Sequence, residues 1–189
     1  MVSSSIPSGF LVLVVGPSGA GKDTLIDYVN GCLGKNDTVR FARRTITRPA
    51  GAGEDHVPLD TKGFAHRVMN GDFALHWQAH GLCYGIPVII DEWLSNNCVV
   101  IANASRAVVS AARQRYERLA IVQVSASAQV LAERLSRRGR EDAAAIKARL
   151  SRVNALTVIG DDVVNLDNSG DVRSAGDRFV AIVEKLMRV

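Results

Sequence analysis

A glycine-rich stretch near the amino terminus contains the residues with the clearest chemistry. Residues 16–22 read GPSGAGK, in which glycines let backbone N–H groups turn inward around phosphate oxygens while Lys22 reaches the β- and γ-phosphates of a nucleotide. The pattern normally continues with a serine or threonine, whereas this chain has Asp23 and only then Thr24. The stretch predicts a nucleotide site formed by Gly16, Pro17, Ser18, Gly19, Ala20, Gly21, Lys22, Asp23 and Thr24.

Arginines are concentrated in a second segment, residues 40–49, which reads RFARRTITRP. Its four arginines are accompanied by no lysine. Because a guanidinium group presents a planar fork that matches phosphate, the segment predicts a site for a phosphorylated acceptor. The alternative is a solvated basic edge of the fold.

A third basic segment, residues 134–152, has the composition of a lid. Gly139 stands between Arg138 and Arg140 and offers a hinge, and arginines that close over a reacting phosphate neutralise the charge on its oxygens. An exposed helix surface is the competing interpretation. The basic residues of this segment are Arg134, Arg137, Arg138, Arg140, Lys147, Arg149 and Arg152.

The apolar pattern predicts the elements that position these residues. Residues 10–15 are a continuous apolar run, typical of a strand buried on both faces, and helical spacing follows the glycine loop as far as Gly34. Further buried strands are predicted at residues 98–102, 119–124 and 163–166.

Helices are predicted between and after the later strands. Ser105 and Ser127 stand where N-caps are needed, and amphipathic patterns cover residues 142–155 and 172–187. Strands that alternate with helices predict an α/β fold, with a parallel central sheet flanked by helices and a ligand site at the carboxyl ends of the strands.

The length of 189 residues suits a single domain spanning residues 1–189. We expect its core at about 10–39 and 88–189. The intervening segment, about 40–87, is rich in Gly, His and Arg and interrupts the rhythm, which predicts an inserted acceptor-binding lobe. The Arg-rich lid would cover about 134–152.

Overall composition excludes several classes of protein. The chain is 47% hydrophobic and 22% charged, as is usual for soluble globular proteins, and its formal net charge of +4 suits an anionic ligand. The apolar runs are too short to span a membrane and no signal peptide is visible, which predicts a cytoplasmic protein. The three cysteines are scattered, which predicts reduced thiols. His76 and His80 lack the glutamate of a zinc-protease helix, so we expect no zinc.

Taken in order, these segments resemble the guanylate kinase-like group of P-loop kinases and, within it, the ribose 1,5-bisphosphate phosphokinases of the PhnN type. The resemblance runs from residue 10 to about residue 183. It is carried by the stretches GPSGAGKDTL, RRTITRP, HGLCYGIP, IANASR, ERLSRRGRED with IKARL, and LDNSG.

Departures from true guanylate kinases indicate that the acceptor is not GMP. Gly51 stands where a second acceptor arginine is usual, and a tyrosine is replaced around His56. His76 precedes Trp77 in place of a glutamate, and Asn103 replaces an acidic residue. Without these carboxylates the N–H donors of guanine stay unpaired, at a cost of about 1–3 kcal/mol for each unpaired group.

The resemblance implies that ATP and ribose 1,5-bisphosphate react to give ADP and 5-phosphoribosyl 1-diphosphate, in phosphonate breakdown. It implies ATP and Mg²⁺ as cofactors, a small phosphorylated sugar as partner, no nucleic acid or membrane, and a monomer or homodimer. Catalytic roles would fall to Lys22, Arg134, Arg138 and Arg149, further nucleotide contacts to Asn168, Ser169 and Gly170, and acceptor contacts to Arg44, Arg48, His76, Tyr84, Asn103 and Arg106.

Two interpretations of Asp23 stay open. Asp23 could ligate Mg²⁺, directly or through water, because P-loop enzymes often use a carboxylate beyond another strand and this chain has Asn103 there. Alternatively, Asp23 is an acidic residue in the first turn of a helix, where the helix dipole favours it.

Three other functions also stay open. A guanylate or other nucleoside monophosphate kinase is the nearest. A non-catalytic guanylate kinase-like binding module would normally have lost the loop lysine and the lid arginines, which this chain keeps. A nucleic-acid-binding ATPase would need a basic groove with aromatic residues, and only 5% of this chain is aromatic.

Overall fold

The structure, a computed structural model, describes residues 9–51, 55–137 and 157–188. Its core is a five-stranded parallel sheet. In spatial order the strands are β2 (Val39–Ala42), β7 (Val99–Asn103), β1 (Phe10–Val15), β8 (Leu119–Ser125) and β9 (Val163–Asp167). The strands predicted at residues 10–15, 98–102, 119–124 and 163–166 are confirmed to within one residue at either end.

Both faces of this sheet are covered, as the continuous apolar run of β1 requires. Alternate residues of β1 enter different clusters: Leu11, Leu13 and Val15 lie in one, and Val12 and Val14 in the other. On the first face the cluster is completed by α3 (Ile89–Ser95) and α4 (Val109–Arg115), and on the second by α1 (Lys22–Leu33), α5 (Ala128–Arg137) and α6 (Val172–Leu186).

Both predicted serine caps are confirmed. The Ser127 hydroxyl accepts a hydrogen bond from the Val130 N–H at 3.3 Å, at the start of α5. The Ser105 hydroxyl accepts one from the Ala107 N–H at 3.2 Å, and a short 3₁₀ turn (Arg106–Val108) then leads into α4. The helix predicted at residues 142–155 lies outside the described residues.

A second, four-stranded sheet lies within the segment predicted to be an acceptor lobe. Its strands, in spatial order, are β4 (His56–Pro58), β3 (Arg44–Ile46), β6 (Leu82–Pro87) and β5 (Phe73–Ala79), and α2 (Thr61–Met69) precedes β5. The Asp60 carboxylate caps α2 by accepting the Gly63 N–H at 2.7 Å. Residues 39–42, by contrast, pair with β7 in the central sheet. The division into core and lobe stays a prediction.

No helix in the described parts of the chain is long and apolar enough to cross a membrane.

Candidate active site

The glycine loop joins the carboxyl end of β1 to the first turn of α1, as predicted. Gly16, Gly19 and Gly21 have φ angles of +147°, +86° and +87°, which L side chains rarely adopt. A Cβ atom on Gly16 would also collide with the Val124 carbonyl oxygen, and one on Gly21 with the Asn168 amide. The glycines are therefore required by backbone conformation and by close approach to neighbouring strands.

Lys22 lies against the loop that precedes it. Its Nζ atom donates hydrogen bonds to the carbonyl oxygens of Gly16 at 2.9 Å and Pro17 at 3.0 Å. Because these contacts cross the loop, the ammonium group is placed beside the backbone N–H groups that would surround a phosphate.

Two side chains from other elements hold the loop in place. The Asn168 side chain, 2% exposed, donates from Nδ2 to the Ala20 carbonyl oxygen at 2.7 Å. Arg134, on α5, donates to the carbonyl oxygens of Ala20 at 3.3 Å and Asn168 at 3.0 Å. The predicted roles of Asn168 at the nucleotide and of Arg134 at the transferred phosphate stay predictions, since the contacts of both side chains are with the loop and, for Arg134, also with the Asn168 carbonyl oxygen.

Beside Asn168, Ser169 joins the loop after β9 to the start of α5, since its hydroxyl accepts the Ser127 N–H at 2.8 Å and donates to the Asp167 carboxylate at 2.6 Å. Gly170, the third residue predicted near the nucleotide, is exposed. Arg138 and Arg149 lie outside the described residues, as does most of the predicted lid.

Asp23 connects the loop to the acceptor segment. Its Oδ1 atom accepts a hydrogen bond from Asn103 Nδ2 at 2.5 Å and lies 3.3 Å from a guanidinium nitrogen of Arg44. Asn103 is the last residue of β7 and is 6% exposed, and its Oδ1 atom is buried without a hydrogen-bond partner among the described residues. Three distant parts of the sequence therefore meet at one carboxylate.

A cavity of about 320 Å³ adjoins Asp23 between α1, β2 and β3. Burial and the negative charges of Asp23 and Asp55 raise the pKa of Asp27 on its wall. Sequence reasoning missed Asp27 and Asp55; the spacing of Asp23 and Asp27, one helical turn apart in α1, was the available signal. The lining residues are Asp23, Ile26, Asp27, Asn30, Phe41, Ala42, Arg43, Arg44, Asp55 and Asn103.

The other predicted acceptor residues lie in the second sheet or follow β7. Tyr84 on β6 stacks on Trp77 of β5, with ring centroids 5.3 Å apart and planes 5° apart. In the pairing of β6 with β3, Tyr84 lies opposite Ile46, which stands two residues before Arg48. His76 is exposed on β5.

Arg48 and Arg106 occupy different surroundings. The Arg48 carbonyl oxygen lies 3.2 Å from Nε2 of His56, which is 3% exposed. Arg106 begins the 3₁₀ turn after β7, and burial lowers the pKa of its guanidinium group. The contacts of Arg48, Tyr84, His76 and Arg106 with an acceptor stay predictions.

Oxygen ligands for a hard cation are present beside the loop. Asp23 offers a carboxylate, Thr24 a hydroxyl, and Asn103 an amide oxygen without a partner in the described structure. These are the donor types that Mg²⁺ prefers, so the residues fit a nucleotide-bound Mg²⁺. In the described ranges no cluster of three or more His, Cys, Asp or Glu side chains could hold a metal ion unaided.

Comparison with known proteins gives close relatives. The chain is 47% identical over 181 residues to the ribose 1,5-bisphosphate phosphokinase PhnN of Rhizobium etli (strain CIAT 652), covering 95% of this chain and 91% of that protein. It is 45% identical over 179 residues to the protein of the same name from Burkholderia pseudomallei (strain K96243), covering 94% and 97%. No protein-family model matches the chain.

Solved structures share the fold. Guanylate kinase from Anaplasma phagocytophilum aligns with a TM-score of 0.66 at 19% identity, covering 96% of this chain and 87% of that one. A gluconokinase from Sinorhizobium meliloti 1021 aligns with a TM-score of 0.52 at 18% identity, covering 97% and 96%. At such identities the likeness shows the α/β kinase fold alone.

Proposed function

Because the chain belongs to the family of PhnN-type ribose 1,5-bisphosphate phosphokinases, we propose that it transfers the γ-phosphoryl group of ATP to the 1-phosphate of ribose 1,5-bisphosphate. The products are ADP and 5-phosphoribosyl 1-diphosphate. The phosphonate breakdown implied by the family resemblance is the context of this proposal.

The observation that carries the proposal is the direct contact between the phosphate loop and an arginine of the acceptor segment. Arg44 lies 3.3 Å from Asp23, the residue after the loop lysine. An acceptor phosphate held by Arg44 is therefore close to the nucleotide phosphates that the loop would bind. Arg48 would bind a second acceptor phosphate, and the Tyr84 hydroxyl would donate a hydrogen bond to the acceptor.

The reaction requires little proton chemistry. An oxygen of the 1-phosphate is already anionic at neutral pH and attacks the γ-phosphorus, and the bond from that phosphorus to the bridging oxygen of ADP breaks. No general base is needed, so the side chains contribute positioning and charge neutralisation. Lys22 supplies a cation beside the loop, and Arg134, Arg138 and Arg149 would neutralise further charge on the transferred phosphate.

ATP and Mg²⁺ are part of the proposal. The loop N–H groups, Lys22 and Asn168 to Gly170 would hold ATP. Asp23, Thr24 and the unpartnered Asn103 Oδ1 would hold Mg²⁺, which supplies charge neutralisation for the phosphate oxygens. The hydrogen bond between Asp23 and Asn103 supports these three Mg²⁺ ligands. It shows that the carboxylate of Asp23 lies beside the side chain of residue 103, where a carboxylate at position 103 would otherwise stand.

Coupled measurement of ADP release tests the proposal with purified protein and three acceptors. We expect turnover with ribose 1,5-bisphosphate and none above background with GMP, because Asn103 and the exposed His76 offer no carboxylate to the N–H donors of guanine. AMP tests for a nucleoside monophosphate kinase of another specificity, and we expect no turnover with it either. Turnover confined to GMP would contradict the proposal and favour a guanylate kinase.

A further inference from the structure

We infer that Asp23 is a positioning residue that holds Arg44 in place for the phosphorylated acceptor, whatever else it does beside the nucleotide. The inference rests on the proposed function, because it takes Arg44 to bind an acceptor phosphate. It gives the unusual residue after the loop lysine a role on the acceptor side of the site.

The contacts at Asp23 fix the direction of its carboxylate. Asn103 Nδ2 and a guanidinium nitrogen of Arg44 converge on the same oxygen, Oδ1. Asn103 is almost wholly buried and is the last residue of β7 in the central sheet. The contact of Arg44 with Asp23 is thus linked, through Asn103, to the central sheet.

Burial gives the contact with Arg44 its weight. The Arg44 side chain is 17% exposed, so its guanidinium has lost much of its hydration and is stabilised by a nearby anion, whereas the Asp23 side chain is 60% exposed and its carboxylate stays in contact with solvent. The separation of 3.3 Å exceeds the roughly 2.7–2.9 Å typical of charge-assisted hydrogen bonds. The carboxylate therefore orients Arg44 while leaving an incoming phosphate able to compete for it.

A neighbouring ion pair provides a matched control. Arg43 and Asp55 lie on the same cavity and approach to 2.6 Å, but their side chains are 57% and 69% exposed. An exposed pair contributes little, because water screens it and both side chains lose conformational freedom. Removing the charge of Asp55 takes one carboxylate from the cavity wall, as removing the charge of Asp23 does, but leaves the contacts of Asp23 with Arg44 and Asn103 in place.

The test is a double-mutant cycle on steady-state kinetics with ribose 1,5-bisphosphate. Asp23→Asn, which removes the charge and keeps the shape, should raise the acceptor KM by about three- to fivefold, because the carboxylate is partly screened by water. When Asp23→Asn is combined with Arg44→Gln, the acceptor KM should rise little beyond the value for Arg44→Gln alone, because both substitutions remove the same interaction. Asp55→Asn should leave the acceptor KM within about twofold of wild type.

A further measurement separates positioning from metal binding. Because Asp23 is also proposed to hold Mg²⁺, the acceptor KM of Asp23→Asn is measured at saturating MgATP and saturating Mg²⁺. It should still be raised there, whereas a role in metal binding alone would leave it unchanged under these conditions. Asp23→Ser, which restores the hydroxyl usual at this position, gives an independent variant, and thermal melting shows that each variant is folded.

An unchanged or lower acceptor KM in Asp23→Asn would overturn the inference, as would additive effects in the double variant. If wild-type protein turns over ribose 1,5-bisphosphate and the cycle is additive, this inference alone fails. If wild-type protein does not use that acceptor at all, the proposed function fails with it.

Discussion

Lys22 is the single residue on which phosphoryl transfer should depend most. Its ammonium group spans the loop, bonded to two loop carbonyl oxygens, and would neutralise charge on the transferred phosphate. Lys22→Ala should lower kcat by about 10²–10³-fold, because one preorganised donor is lost. Coupled ADP release measures the effect, and Lys35→Ala, an exposed lysine just beyond the end of α1, is the control. A loss of less than about threefold would contradict this role.

Asp27 should make stability depend on pH. Burial and the charges of Asp23 and Asp55 raise its pKa above the ordinary 3.8, so its ionised form destabilises the folded protein. The cost is complete above the folded-state pKa, decreases as the pH falls towards the unfolded-state value of 3.8, and vanishes below it.

Asp27→Asn should therefore raise Tm at neutral pH, and the gain should shrink as the pH is lowered towards 3.8. Differential scanning calorimetry of both proteins across this range measures it. A gain that is the same at every pH would mean that the charge of Asp27 is not the cause.

At the residue scale, sequence alone predicts what local spacing encodes. The stretch GPSGAGK and the serine caps at 105 and 127 each depend on neighbours within a few residues. The cavity wall does not, because Asp27 and Asp55 are brought together by the path of the chain through the second sheet. Likewise, the sequence shows an acidic residue at position 23 and the loss of one at position 103. The direct contact between Asp23 and Asn103 depends on how α1 packs beside β7 and is not visible in the sequence.

At the scale of elements, two helical glycines should respond to alanine with opposite signs. A Cβ on Gly176 of α6 would lie 2.6 Å from Tyr28 Cγ, and the Tyr28 ring is held by a 2.6 Å hydrogen bond from its hydroxyl to Asp177. Gly176→Ala should therefore destabilise the packing of α1 on α6 by about 1–3 kcal/mol.

Gly31 of α1 is the matched case, since a Cβ there would meet no atom within 4 Å. Gly31→Ala should stabilise the protein by about 0.4–1 kcal/mol, because alanine has less backbone entropy to lose on folding. Urea unfolding of both variants measures the two free energies. A stabilising Gly176→Ala would show that α1 and α6 can move apart at little cost.

Elements with a buried apolar run are predictable, and short half-exposed strands are not. The apolar residues of β1 and β8 indicate both strands. By contrast, β4 has three residues, of which only His56 is buried, and β3 has three that combine an arginine with Thr45 and Ile46. Neither gives enough alternation to indicate a strand, so the second sheet could be predicted only as an inserted segment.

At the scale of the whole molecule, parallel topology explains why one site can form. At their carboxyl ends β1 leads into the glycine loop, β7 ends on Asn103 shortly before the 3₁₀ turn, and β9 leads into Asn168. These ends meet at one edge of the sheet, as parallel strands require. The alternation of strands and helices predicted that edge, and Arg44 approaches it from the second sheet.

In the proposed reaction the attacking atom is a phosphate oxygen, and ³¹P NMR of the reaction products distinguishes it from a ribose hydroxyl oxygen. Wild-type protein with ATP, Mg²⁺ and ribose 1,5-bisphosphate should consume the 1-phosphate monoester signal and produce the coupled doublets of a sugar diphosphate together with ADP. The 5-phosphate signal should persist as a monoester. Appearance of a third monoester signal, from phosphorylation of a ribose hydroxyl, or ADP release with no change in the sugar phosphate signals, would contradict the account.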